Sequence, residues 1–113
     1  MVFDKNQLSG NTAMLLLQLL SERDMYGYEM IEVLGERTDN VFELKAGTLY
    51  PLLHGLEDKD QLLSYEKEAG GKTRRYYRIT GEGKKALKRK KKEWETYEKA
   101  VAQVIGGEAY GNG

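Results

Sequence analysis

The hydrophobic positions of residues 45–63 repeat with the period of a helix. Positions i, i+3, i+4 and i+7 form one apolar stripe, which we expect to be buried and which is made of Leu49, Leu52, Leu53 and Leu56. The opposite face is small, aromatic and nearly uncharged, with Gly47, Pro51, His54 and Gly55 flanked by Thr48 and Tyr50. A solvated face normally carries Glu, Lys and Gln. The pattern therefore indicates either a surface helix of unusual composition or a helix that lies against a ligand.

The start of this helix is left open by the pattern alone. A proline inside a helix removes one hydrogen bond and crowds the preceding turn. If Thr48 is the N-cap, Pro51 lies in the first turn at little cost. If the helix begins at Ala46, Pro51 bends it.

A strongly apolar helix is predicted near the N-terminus, after a polar and loose segment at residues 1–10. Asn11 or Thr12 is a candidate N-cap, and the helix is expected to reach about Arg23. Its apolar residues cover most of the circumference, from Ala13 to Leu20. A domain of this size seldom encloses such a helix by itself, so we expect a partner subunit to cover part of it.

A second helix is expected at about residues 25–36, capped by Asp24 and buried through Met30, Ile31, Val33 and Leu34. The Tyr26-Gly27-Tyr28 segment places two rings near its start. Core packing and phosphate contact are both open for these rings. Thr38-Asp39-Asn40 predicts a turn, and residues 41–44 predict a short strand.

A basic hairpin follows the helix predicted in residues 45–63. Residues 63–67 and 74–80 predict two strands joined across Ala69-Gly70-Gly71-Lys72. Strand alternation places Arg75, Tyr77 and Ile79 on one face and Arg74, Tyr76 and Arg78 on the other. A glycine tip with a dense basic flank suits contact with phosphate or with a DNA minor groove.

A long helix is predicted from Gly81 to about Ile105, with Thr80 as its cap. Alternating spacings of three and four define a seam along this helix, made of Leu87, Lys90, Trp94, Tyr97, Val101 and Val104. Seams of this kind pair helices, so we expect this helix to dimerise. The glycine-rich tail at residues 106–113 is expected to be disordered.

Composition narrows the function classes. The chain has 113 residues and equal numbers of basic and acidic groups, but residues 1–70 carry 6 Lys and Arg against 13 Asp and Glu, and residues 71–113 carry 12 against 5. This asymmetry indicates a basic surface that meets an anion.

The chain has no cysteine and a single histidine, His54, which excludes disulfides, zinc fingers and thiol chemistry. No apolar run is long enough to span a bilayer and no basic-then-apolar leader is visible, so we expect a cytoplasmic protein without membrane association or cofactor.

Three helices, a two-stranded hairpin and a closing helix predict an α+β, mainly α fold: a winged helix–turn–helix at residues 1–80 and a dimerisation helix at 81–105. The chain contains the motifs Tyr-Gly-Tyr-Glu at 26–29, Gly-Thr-Leu-Tyr-Pro-Leu-Leu at 47–53 with Leu-Glu at 56–57, and Arg-Arg-Tyr-Tyr-Arg-Ile-Thr-Gly-Glu-Gly at 74–83. Through these motifs the sequence resembles the PadR-type transcriptional regulators over roughly residues 9–105. In that family the third helix begins just before the Gly-Thr pair, which favours the start at Ala46. Lys45 stands two places before the glycine, where many members have a serine cap.

The resemblance implies a homodimer, formed through the first and last helices, that binds a double-stranded DNA operator. The residues expected to contact DNA are Tyr28, Thr48, Tyr50 and His54, together with Lys72, Arg74 and Arg75 of the wing. The chain also resembles the short members of the family, which include a multidrug-sensing repressor from lactococci. In that relative a tryptophan of the last helix pairs across the dimer and stacks on flat aromatic drugs, which implies a ligand site of Met14, Trp94, Tyr97 and Glu98 here. Trp94 could equally serve only to pack the dimer.

The leading hypothesis is therefore a ligand-responsive DNA-binding repressor of a transporter or detoxification gene. A winged-helix module that binds protein and no DNA is the alternative, although such a module has no need of the basic wing. An enzyme is disfavoured, because His54 has no nucleophile or carboxylate at a recognisable spacing and no glycine-rich phosphate loop follows a strand.

Overall fold

The computed structural model of the chain describes residues 5–106, with side chains from residue 11 onward. Four helices and three short strands follow one another along the chain: α1 (Lys5–Glu22), β1 (Met25–Tyr26), α2 (Gly27–Arg37), α3 (Ala46–Asp58), β2 (Leu62–Ala69), β3 (Lys72–Ile79) and α4 (Gly81–Ile105). The strands form one antiparallel sheet in the order β1-β3-β2. The α+β, mainly helical prediction is confirmed.

Helix α1 forms the centre of the core. Leu16, Leu17 and Leu20 are almost fully buried, because α1 packs on α2, α3, α4 and β3 of the same chain. The chain therefore encloses the inner turns of this helix by itself, whereas Met14 and Leu15 stay half-buried, and cover by a partner subunit remains a prediction for that part. The predicted cap at Asn11 or Thr12 is wrong, since the helix already begins at Lys5. The residues before position 11 are mostly polar, so the sequence shows little sign that they are helical. Intrinsic helix propensity predicts a helix start poorly when packing of the following turns stabilises the helix.

The junction between α1 and α2 differs from the prediction. Asp24 does not cap α2, because residues 25 and 26 form the edge strand β1 and Tyr26 precedes the helix. Ion pairs hold the junction instead: Glu22 with Arg37, and Arg23 with Glu29 at 2.5 Å. The predicted turn at residues 38–40 is confirmed, with Asp39 and Asn40 at positive φ. The strand predicted at residues 41–44 is absent, since that segment is an irregular connection to α3.

Helix α3 begins at Ala46, as the resemblance implied, so Pro51 lies inside it. Leu49, Leu53 and Leu56 are buried, as predicted. Leu52 is only half-buried and packs at the edge of the core, which corrects the prediction that all four leucines are buried.

The wing is the β2–β3 hairpin. Its two-residue turn is Gly70-Gly71, and both residues have positive φ (62° and 79°), which glycine adopts without strain and which matches the twist of a tight hairpin. The register pairs Leu62 with Ile79 and Ala69 with Lys72. Tyr77 and Ile79 face the core, so the predicted alternation along β3 is confirmed.

Helix α4 begins where the sequence predicted. The Gly83 amide donates to Thr80 Oγ1 at 3.0 Å, which caps the helix. Its first turns pack on α1 through Ala86 and Leu87, so Leu87 belongs to the core of its own chain and is not part of a free seam. Of the tail predicted to be disordered, residues 107–113 lie outside the described residues. None of the described helices is both long and apolar enough to cross a membrane.

Candidate nucleic-acid interface

Helix α3 has two contrasting faces. Leu49, Leu53 and Leu56 fix one face in the core. Thr48, Tyr50 and His54 lie on the other face and are exposed. Because three buried leucines hold the helix, the exposed residues project from a rigid support.

The N-terminus of α3 is electrostatically open. Lys45 precedes the helix, no side chain caps it, and its first turn contains no acidic residue. The positive end of the helix dipole and the uncapped amides favour an approaching anion. The acidic residues Glu57, Asp58 and Asp60 lie at the opposite end of the helix and would repel one.

Tyr50 links α3 to the start of α2. A Cβ atom at Gly27 would lie 2.6 Å from Tyr50 Oη, so any other residue there would require the Tyr50 ring to shift. Tyr50 still keeps 39% of its surface exposed, and the neighbouring Tyr28 keeps 62%. The start of α2 and the first turns of α3 are therefore in contact at Gly27 and Tyr50. Sequence reasoning quoted Gly27 as part of a motif but did not find its reason, which is a contact between residues 23 positions apart.

The wing separates its three predicted cations. Lys72 and Arg75 are exposed and have no ion-pair partner among the described residues. Arg75 lies on the sheet face that also carries Tyr77, the face turned towards the core and α3. Arg74 lies on the outer face, half-buried, with its guanidinium carbon 4.5 Å from the centre of the Tyr26 ring. The two neighbouring arginines are thus in different environments. Strand alternation predicted that they lie on opposite faces, but it did not predict the contact of Arg74 with Tyr26.

Asp24 is the residue that sequence reasoning misassigned most clearly. Its Oδ2 atom accepts hydrogen bonds from Tyr65 Oη and from Arg78 Nε at 3.0 Å, which ties the α1–β1 junction to the wing. Partial burial alone would raise the pKa of Asp24, but the hydrogen bonds from Tyr65 and Arg78 outweigh it and lower the pKa below its ordinary value. The hydrogen bond from Tyr65 to Asp24 also raises the pKa of the Tyr65 phenol. These partners are 41 and 54 residues away, so no local signal could have identified them.

The predicted ligand residues are only partly brought together. Trp94 stacks on Tyr97, with ring centres 5.9 Å apart and an angle of 29° between the planes. Glu98 is exposed one position further along α4, whereas Met14 is half-buried on α1 and packs against the core. An apolar surface continues past the two rings through Ala100, Val101, Val104 and Ile105. Within the part of the chain that the structure describes, no group of His, Cys, Asp and Glu could hold a metal ion.

Comparison with known proteins places this architecture. Residues 16–89 match the family model described as the transcriptional regulator PadR-like family. The chain is similar to a solved transcriptional regulator from Clostridium thermocellum, with a TM-score of 0.83 and 36% identity, covering 90% of this chain and 100% of that one. A PadR family transcription regulator from Clostridium difficile has a TM-score of 0.72 and 36% identity, with 83% of this chain and 97% of that one covered. The transcriptional regulator Rv3488 of Mycobacterium tuberculosis is 36% identical over 74 residues, which are 64% of this chain and 66% of that protein.

The matched region runs from the middle of α1 to the first turns of α4, so it contains α3 and the whole wing. The family and these relatives are transcriptional regulators and not enzymes. The chain belongs to the PadR-like family of transcriptional regulators, and its fold is the family's winged helix.

Proposed function

We propose that the protein is a homodimeric repressor that binds a specific DNA operator through α3 and the wing. The observation that carries the proposal is the contrast between the faces of α3. Three leucines anchor it, while the exposed face offers Thr48, Tyr50 and His54 and no charged side chain in its N-terminal half. A helix of this kind can enter the major groove and approach base edges closely.

The wing supplies the complementary electrostatic contact. Lys72 and Arg75 are exposed cations beside a glycine turn that adds no side-chain bulk. Contacts of this type neutralise phosphates and hold the register of the protein on the duplex, whereas base contacts select the sequence. We assign the first role to the wing and the second to α3.

A comparison of two duplexes tests this assignment. Fluorescence anisotropy would measure the affinity for a fragment of the gene's own promoter and for a shuffled duplex of equal length and composition. His54→Ala is expected to weaken promoter binding by roughly 1–3 kcal/mol and to change binding of the shuffled duplex much less. Lys59→Ala, at the exposed C-terminal cap of the same helix, is a control.

Equal losses on both duplexes would show that His54 positions the protein without reading sequence. If the wild-type protein bound neither duplex, the repressor proposal would be overturned in favour of a protein-interaction module.

The distal half of α4 supports the homodimer. Tyr97, Val104 and Ile105 are 49%, 85% and 63% exposed, and these apolar residues lie on a helix that projects beyond the core. A continuous apolar surface of this kind is unfavourable in water and is stabilised by burial against another surface. A second copy of the same helix offers a matching face, and the half-buried Met14 and Leu15 are the residues through which α1 would contribute to the interface.

The stacked Trp94–Tyr97 pair supports an effector site in that dimer. Two such pairs facing across a seam would suit a planar aromatic cation, because ring faces attract cations and stacking buries a large apolar area. Glu98 would supply the opposing charge. A repressor released by such a compound fits control of a transporter or detoxification gene, provided that the compound binds the DNA-free dimer more tightly than the DNA-bound one.

The intrinsic fluorescence of Trp94 provides the test, because the chain contains one tryptophan. Titration with a planar cationic dye is expected to quench this emission saturably at one dye per dimer, and Glu98→Gln is expected to weaken the binding. Glu95→Gln, which removes a charge at another exposed position of α4, is the matched control. If no planar aromatic compound quenched the emission near its solubility limit, Trp94 would serve the dimer interface only.

A further inference from the structure

The outer face of the sheet carries an ordered cluster of cations and aromatic rings, here called the wing stack. Its rings contact one another: Tyr76 lies edge-on to Tyr26 at 5.5 Å and stacks on Tyr65 at 5.8 Å. Each ring also has a cation over it, at 4.5 Å for Arg74 on Tyr26, 5.3 Å for Lys67 on Tyr76 and 5.1 Å for Arg78 on Tyr65. This face points away from the core, so the cluster adds nothing to the main hydrophobic interior.

The wing stack is anchored at the end far from the wing tip. Arg78 bonds to Asp24 through Nη2 at 2.9 Å, and Tyr65 donates to the same carboxylate oxygen. The bridge fixes the root of the hairpin to the α1–β1 junction. Side-chain contacts therefore run along the outer face from Asp24 to Lys67 and Arg74, which lie opposite each other on β2 and β3. Only the tip of the hairpin lies beyond them.

Arg74 is the member of the wing stack nearest the tip on β3. Stacking over the Tyr26 ring restricts its side chain, whereas neither Lys72 nor Arg75 has an aromatic ring among its described contacts. A guanidinium over a ring still has N–H donors at its edge, and these match the geometry of a phosphate. Arg74 also has no carboxylate partner among the described ion pairs, so its donors are not used by the wing stack.

We propose that Tyr26 is a positioning residue for DNA binding, whose ring holds Arg74 in place to bind a backbone phosphate. The inference rests on the proposed function and deepens it, because it gives the two neighbouring arginines different roles. Arg75 binds as a flexible side chain that must be ordered on contact. Arg74 is ordered beforehand, so less conformational freedom is lost when the complex forms.

A double-mutant cycle on promoter binding tests the coupling. Tyr26→Leu keeps an apolar side chain and removes the ring face. In the wild-type background we expect it to weaken binding by about 2- to 10-fold, the range for ordering one long side chain. In an Arg74→Ala background we expect no further loss, because the side chain that the ring positions is gone. Tyr26→Phe keeps the ring face and is expected to bind like the wild type.

The matched control is the same cycle with Arg75→Ala, since Arg75 lies on the other face of β3. Tyr26→Leu should then cause its full loss in both backgrounds. Arg74→Lys gives a second test that leaves Tyr26 in place: it keeps the charge, lacks the planar group and is expected to bind more weakly than the wild type. Thermal melts of every variant show that each is folded.

Three results would overturn the inference. One is an equal effect of Tyr26→Leu with and without Arg74, which would make the ring a general support of the fold. Another is full binding by Arg74→Lys. The last is a wild-type protein that binds no duplex. This result would also overturn the proposed function, whereas the first two results would overturn only the role of Tyr26 and Arg74.

Discussion

Gly83 is the position where a single added methyl group would conflict most directly with the fold. A Cβ atom there would lie 2.1 Å from the carbonyl oxygen of Gln61 and 2.6 Å from Ile79 Cγ1. The carbonyl cannot move freely, because it accepts the Thr80 amide at 3.1 Å. Gly83 therefore allows α4 to leave the wing in close contact with the α3–β2 turn.

We expect Gly83→Ala to destabilise the protein by roughly 1–3 kcal/mol, the cost of overpacking, although alanine is the better helix former by about 1 kcal/mol. Urea denaturation would measure the free energy of unfolding. Gly81→Ala is the control, since a Cβ atom at that position meets nothing within 4 Å and leaves only the helix preference. If the two variants were equally stable, the close contact at Gly83 would not matter to the fold.

Residue roles were predictable where they depend on neighbours in sequence. Thr80 was identified as a cap because its partner Gly83 is three positions away. Tyr77 and Ile79 were placed on the same face because strand alternation determines their side, and the structure shows that this face is buried at both positions. Asp24, Gly27 and Gly83 were not understood from the sequence. Each acts on a residue more than 20 positions away, and such contacts are set only when the elements pack.

Elements followed the same rule. Helix α3, the hairpin and helix α4 were predicted closely, because each has a strong hydrophobic periodicity or a glycine turn in its sequence. The two-residue strand β1 was missed, because it exists only by pairing with β3 at Tyr76 and Tyr77. The strand predicted at residues 41–44 has suitable apolar residues but pairs with none of the three strands, so the pattern alone was misleading.

Helix α4 also provides the prediction that belongs to the element scale. With 25 residues at about 1.5 Å each, it is roughly 38 Å long, and its buried residues, Gly83, Ala86 and Leu87, all lie in its first turns. We expect Val101→Glu with Val104→Glu to dissociate the proposed dimer, because two carboxylates would be buried against an apolar partner surface. Sedimentation would report the change in mass, and Gln103→Glu, on an exposed face between these two positions, is the control. A dimer that survives both charges would move the interface away from distal α4.

At the scale of the whole molecule, charge is arranged along the chain in two halves. Most of the acidic excess of residues 1–70 lies on the helices and turns that precede the wing, including the C-terminal end of α3, and two further acids, Glu66 and Glu68, lie on β2. The basic excess lies on β3 and α4. An anion such as DNA is therefore favoured at the N-terminal end of α3 and beside the wing. The exposed lysines of α4, among them Lys84 and Lys88, contribute a more distant field that salt screens within about 10 Å at 0.1 M.

The salt dependence of promoter binding tests the central claim most directly, because it counts the phosphates that the protein neutralises. In a plot of log affinity against log salt concentration, the Lys72→Ala, Arg75→Ala variant should lose about 2 from the magnitude of the wild-type slope. Lys84→Ala with Lys88→Ala removes the same charge from α4 and should change the slope much less. A wing variant with the wild-type slope, or an α4 variant with the larger loss, would contradict a DNA interface built from α3 and the wing.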